Sequence, residues 1–71
     1  MSEAASSRLH GEVSAFDDDR GLGEINAAGV MHPFHCVSIA DGTRTIAPGT
    51  AVTFVVLHKL GRYEAADIRP T

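Results

Sequence analysis

Glycine and proline set the tightest limit on what this chain can fold into. Glycine stands at 11, 21, 23, 29, 42, 49 and 61 and proline at 33, 48 and 70, so few windows of helical length escape a breaker. The longest clean stretch, Thr50 to Leu60, carries Thr50, Val52, Thr53, Val55 and Val56. Their branched side chains are stiff in a helix and suit a pleated strand. Short runs between regularly placed turn residues point to an all-β sandwich or barrel. Seventy-one residues leave room for one domain and one core. A core of this size supplies only ~3–5 kcal/mol, so the fold must be economical, and a small closed barrel qualifies.

Five strands can be placed. The first runs from Leu9 to Phe16 and stops at Asp17-Asp18-Asp19-Arg20, a run of turn formers. The second, Gly21 to Asn26, closes a hairpin with it, and Ala27-Ala28-Gly29 turns into a third, Val30 to Cys36. Residues 37–49 are irregular, with Asp41-Gly42 and Pro48-Gly49 as turn signals. The fourth strand is Thr50 to Lys59 and the fifth Arg62 to Ile68. Residues 1–8 are expected to fray as a flexible tail, leaving the domain to residues 9–71. Period two puts Val52, Phe54 and Val56 on one face, and sets His32, Phe34 and Cys36 against Pro33 and His35. The charge of Glu24 turns its face outward, so Ile25 points in and Leu22 shares the outer face.

Charge and cysteine content narrow the function. A net charge of −3 excludes a strongly basic nucleic-acid binder held by bulk electrostatics, though not a local basic stripe. One cysteine excludes an intramolecular disulfide and a four-cysteine zinc site. No apolar run approaches the ~18–20 residues of a membrane helix. The first eight residues lack the apolar core and basic flank of a secretion signal, so a cytoplasmic location is expected.

The stretch Gly11-Glu-Val13-Ser-Ala-Phe16-Asp-Asp-Asp-Arg20-Gly21-Leu-Gly23-Glu-Ile25 resembles the opening of bacterial cold-shock proteins. Their first strand reads Gly-x-Val-Lys-Trp-Phe, followed by a polar turn and Lys-Gly-Phe-Gly-Phe-Ile. His32-Pro33-Phe34-His35-Cys36 falls where that family has Val-Phe-Val-His-Phe. Pro48-Gly49-Thr-Ala-Val52-Thr-Phe54-Val and Ala65-Ala66-Asp67-Ile68 match its fourth strand and its closing Ala-Ala-x-Val. The likeness spans residues 9–69, in order. It implies a five-stranded antiparallel Greek-key barrel of the oligonucleotide-binding (OB) type, with single-stranded RNA or DNA as the partner.

The departures gather on one surface. Cold-shock proteins stack bases on outward aromatics of the first three strands. Carried over by position, the tryptophan of the first strand is Ala15, the two phenylalanines of the second are Leu22 and Glu24, and those of the third are Pro33 and Cys36. Phe16, Arg20 and His35 keep the family's type, while the core positions Val13, Ile25, Val52, Phe54 and Ile68 are intact. Phe54 belongs to the core by phase, and Phe34 joins it because the family has valine there. Each stack is worth ~1–3 kcal/mol, so losing four or five platforms forfeits on the order of 5–10 kcal/mol. The resemblance therefore implies weak binding. Phe16 and His35 would stack, Arg20, Arg44, Lys59 and Arg62 would meet phosphate, and Leu22 and Glu24 occupy degenerate platform positions.

Other chemistries have thinner support. Ala15, Leu22, Pro33, Cys36 and Val37 leave an aliphatic patch rimmed by Asp17, Glu24 and Arg20, the anatomy of a protein interface or homodimer face. His32, His35 and Cys36 are metal-ligand types, but an extended strand points His32 and His35 to opposite faces, so no metal is expected. No family-specific nucleophile context surrounds Cys36, so no enzyme is expected, and nothing asks for a cofactor.

Overall fold

The computed structural model describes residues 8–71, with Lys59 for its backbone alone. It contains five strands: β1 (Leu9–Asp17), β2 (Leu22–Ala27), β3 (Val30–His35), β4 (Ala51–Lys59) and β5 (Arg62–Pro70). Each pairs antiparallel with its neighbour in the order β3-β2-β1-β4-β5. The ends of this ribbon meet. Ile39 bridges Ile68 in parallel, the Ala40 amide donates to the Ile68 carbonyl at 2.8 Å, and His35 of β3 faces Glu64 of β5. The result is the expected all-β, OB-type barrel.

The core follows the period-two reading. Val13, Ile25, Phe34, Val52, Phe54 and Ile68 are fully buried, with Ala27, Ile39, Ile46 and Ala65 around them. Backbone approach at two crossings is too close for a side chain. A Cβ on Gly23 would lie 2.5 Å from the Phe34 ring and 2.8 Å from the Ala15 carbonyl. One on Gly11 would lie 2.6 Å from the Ile25 side chain. Their absent side chains let β1 and β2 cross over these packed residues.

Two irregularities bend the ribbon. On β1 the register moves from Val13↔Ile25 to Ala15↔Glu24, leaving Ser14 as an extra residue. Beyond it β1 pairs with β2 alone, having paired with β4 over Leu9–Glu12. On β5 the register moves from Thr53↔Arg69 to Val55↔Ala66, and Asp67 takes a left-handed conformation at φ 49°. Arg8 fastens this second bulge. Its guanidinium donates to the Asp67 carboxylate at 2.8 Å, to the Asp67 carbonyl at 2.7 Å and to Thr53 Oγ1 at 2.9 Å. Arg69 adds a contact to the same carboxylate at 3.1 Å. Arg8 thus belongs to the domain and not to the tail assigned to residues 1–8; residues 1–7 lie outside the described residues.

The Arg8 hydrogen bond, with help from Arg69, holds the Asp67 carboxyl below its ordinary value of 3.8. A depressed folded-state value stabilises the fold above the unfolded value, and that contribution disappears as pH falls through the folded value. Asp67→Asn accepts the left-handed backbone but drops the charge. We expect its melting temperature to lie below wild type at pH 7, with the gap closing as pH falls below about 4. Thermal melts of both proteins from pH 7 to pH 2 check this; a gap independent of pH would refute it.

The segment that sequence left unplaced is pinned at three points. Cys36–Ser38 form a single 3₁₀ turn, so β3 ends at His35 and Cys36 lies outside the strand. Ile39 and Ile46 drop into the core. Thr45 Oγ1 donates to the Asp18 carboxylate at 2.8 Å, tying the segment to the β1–β2 turn.

Candidate functional site

A depression of about 620 Å³ lies across β1, β2 and β3 and is flanked by the start of β5. Ala15, Leu22 and Pro33 give it an apolar floor, and Asp17, Glu24, His35, Arg62 and Glu64 supply its charged and polar groups. Two cross-strand rows build the outer face: Ala15–Glu24–Pro33 and Asp17–Leu22–His35, each following the β1–β2–β3 register. Leu22 and Glu24 are exposed side by side, as the phase argument expects, and Ile25 is buried.

Phe16 behaves differently from a free outward ring. The extra residue Ser14 shifts the phase of β1, and the Phe16 row continues through Gly23 to Phe34 on the inner side. There the Phe16 ring lies parallel to that of Phe34, with centroids 5.9 Å apart and planes within 9°. It is partly buried against the core and borders the depression with what remains. His35 is the outward ring. Its side chain is 55% exposed, and its Nδ1 lies 3.3 Å from the Glu64 carboxylate, which is only 15% exposed. That contact fixes the plane of the imidazole and helps close the seam between β3 and β5.

The cations expected at phosphate divide into two groups. Arg62 lines the depression. Arg20 and Arg44 are exposed on the neighbouring loops and do not line it. Arg20 Nε stands 3.8 Å from Asp17, whose carboxylate also accepts from the amides of Asp19 and Arg20 and so shapes the β1–β2 turn. Arg44 sits at φ 63° in the segment held by Thr45 and Asp18. The Lys59 side chain lies outside the described residues. The depression therefore presents three carboxylates against one guanidinium. Glu64 is the participant that sequence reasoning missed: its alternation with Ala65 marks it as outward, but only barrel closure brings it to His35.

The aliphatic patch is smaller than the sequence suggested. Cys36 does not line the depression; it packs against Gly21, where an added Cβ would meet its sulfur at 2.8 Å. The cause is the 3₁₀ turn, which takes Cys36 off the strand alternation. His32 lies on the inner side with its ring 5.1 Å from that of Phe54, opposite His35. Among the described residues no three histidine, cysteine or acidic side chains are grouped to hold a metal ion.

The chain is similar in structure to Drosophila Unr CSD456, a protein of cold-shock domains, with a TM-score of 0.76 at 23% sequence identity. The match covers 90% of this chain and 26% of that one, so the chain spans about a quarter of the length of the solved protein it matches. No protein-family model matches the sequence, and no curated protein does. The fold is that of a cold-shock domain.

Proposed function

We propose that this barrel binds single-stranded RNA or DNA, weakly, as a divergent module of the bacterial cold-shock type. The observation that carries the reading is the open depression across β1, β2 and β3, on a cold-shock fold and on the face where that fold stacks bases. His35 offers an oriented ring, Phe16 part of one, and Arg62 a charge for the phosphate chain. Arg20 and Arg44 extend that path over the adjoining loops. Weakness follows from what fills the rest. Leu22 and Glu24 give no ring, and Glu24 repels a phosphate that comes near. With at most two of seven stacking positions kept, the dissociation constant is expected on the order of 0.1–1 mM. The same reading makes the barrel a cytoplasmic binding module without a catalytic step.

Amide-resolved NMR titration with a mixed single-stranded oligonucleotide at low salt tests the proposal. Saturable shifts are expected at Leu22, Gly23, Glu24, His35 and Arg62, weakening as salt is added. Unmoved amides at millimolar oligonucleotide would overturn it. In that case a concentration-dependent dimer sensitive to Leu22 would point to the apolar floor as a protein interface.

A further inference from the structure

We propose that the depression selects guanine, with the Glu24 carboxylate reading the Watson–Crick edge of the base. This inference rests on the nucleic-acid reading above and adds a specificity to it.

Three carboxylates line the depression, and two of them are occupied. Asp17 accepts from the amides of its own turn, and Glu64 faces the His35 ring. Glu24 sits between Ala15 and Pro33 in the middle of the outer face, and among the described residues its side chain has no hydrogen-bond or ion-pair partner. It is the acceptor left for a ligand.

Charge then orders how a strand can lie. Phosphates are repelled by Glu24 on β2 and attracted by Arg62 on β5, whose neighbour Glu64 is mostly buried and turned to His35, so the backbone runs along the β5 side and the base edges point toward β2. Leu22 is paired with His35 and Glu24 with Pro33, which makes His35 and Glu24 diagonal neighbours, about 7–8 Å apart on the sheet. A base stacked on the imidazole that Glu64 orients brings its edge to Glu24 over the floor of Leu22 and Pro33.

An ionised carboxylate only accepts, and it pairs best with two parallel donors. Among the common bases guanine alone offers adjacent donors on that edge, N1–H and the 2-amino group. Adenine and cytosine each place a ring-nitrogen acceptor beside their amino group, and uracil and thymine flank one N–H with two carbonyls. Those acceptors would face the carboxylate and repel it.

The test compares a uridine heptamer with the same heptamer carrying guanosine, inosine or adenosine at its centre, by NMR titration of the whole chain. Guanosine is expected to tighten binding about tenfold, and inosine, which lacks the 2-amino donor, to lose most of that gain. Glu24→Gln should bring the guanosine preference, read as the ratio of guanosine to uridine affinity in the same variant, below about threefold, since the amide lacks the charge and replaces one acceptor by a donor. Its amide spectrum reports that the barrel is intact. Equal binding of the guanosine and uridine heptamers overturns the guanine inference and leaves nucleic-acid binding standing. An undiminished preference in Glu24→Gln overturns the assignment to Glu24. Binding of none of the heptamers overturns the inference together with the reading beneath it.

Discussion

Phe54→Ala is expected to leave the chain unfolded at 25 °C, with a far-UV circular dichroism spectrum of coil and collapsed amide dispersion. Phe54 is 0% exposed, and it touches both halves of the barrel. Its own strand β4 joins β1 through the Leu9↔Phe54 pair, the His32 ring of β3 tilts against it, and a Cβ on Gly11 would lie 3.2 Å from its ring. Truncating a buried phenylalanine costs about 3–5 kcal/mol, from lost transfer energy and from the cavity left behind. A domain this small has only ~3–5 kcal/mol to lose. The second figure is a ceiling, so the truncation removes all of the stability or more and the folded fraction falls to a minority. Collapse of the barrel into the cavity is resisted because Gly11 and Gly23 already hold β1 and β2 at their closest approach. Phe54→Leu, which keeps most of the volume, should fold with a lowered melting temperature. A cooperative melt of Phe54→Ala above 40 °C would show that the core is not the main source of stability.

That core was readable in the sequence because alternation is a strong signal when one side of a strand is dry. Val52 and Phe54, Ile25, and His32 with Phe34 all took the faces that period two assigns. Features that depend on a break in the alternation were not readable. In Val13-Ser14-Ala15-Phe16 the two middle residues are small and suit either face, so nothing marks the bulge that turns Phe16 inward against Phe34. Cys36 continues the alternation of His32 and Phe34 and so reads as strand, yet the chain leaves the sheet one residue earlier.

Long-range polar contacts were equally hidden. Arg8 precedes the first strand and reads as a tail residue, while its partners Thr53 and Asp67 lie 45 and 59 positions away. Only the closed topology brings them together. Glu64 reaches His35 in the same way, across a seam with no sequence signature. Ile39 and Ile46 are buried from a segment with no period at all, where a hydrophobic residue could as well have been exposed, as Val37 is. The face of the candidate site was legible in the sequence, because Leu22, Glu24, Pro33 and His35 follow the strand phase. Its depth and charge balance were not, because β5 supplies them.

On the proposed nucleic-acid reading, the double variant Leu22→Phe with Glu24→Phe tests what limits binding. Both positions are exposed on the outer face of β2, so the substitutions leave the core untouched, and aromatic residues suit a strand. Leu22 lies opposite His35 and Glu24 opposite Pro33, which would give a continuous strip of ring surface from β2 to β3. Two new stacks are worth ~1–3 kcal/mol each, and part of that is spent on side-chain ordering, so affinity for a uridine heptamer should rise at least about tenfold. Removing the Glu24 charge also relieves repulsion of the phosphate chain. The single variant Glu24→Gln separates the two contributions. Its change on uridine should stay within about threefold, because one exposed charge at this distance acts through water. If stacking limits binding, the double variant therefore gains far more on uridine than the single one, and it binds heptamers with and without guanosine alike, since the selective acceptor is gone. A native amide spectrum with less than a twofold gain on the uridine heptamer would mean that missing rings do not limit binding.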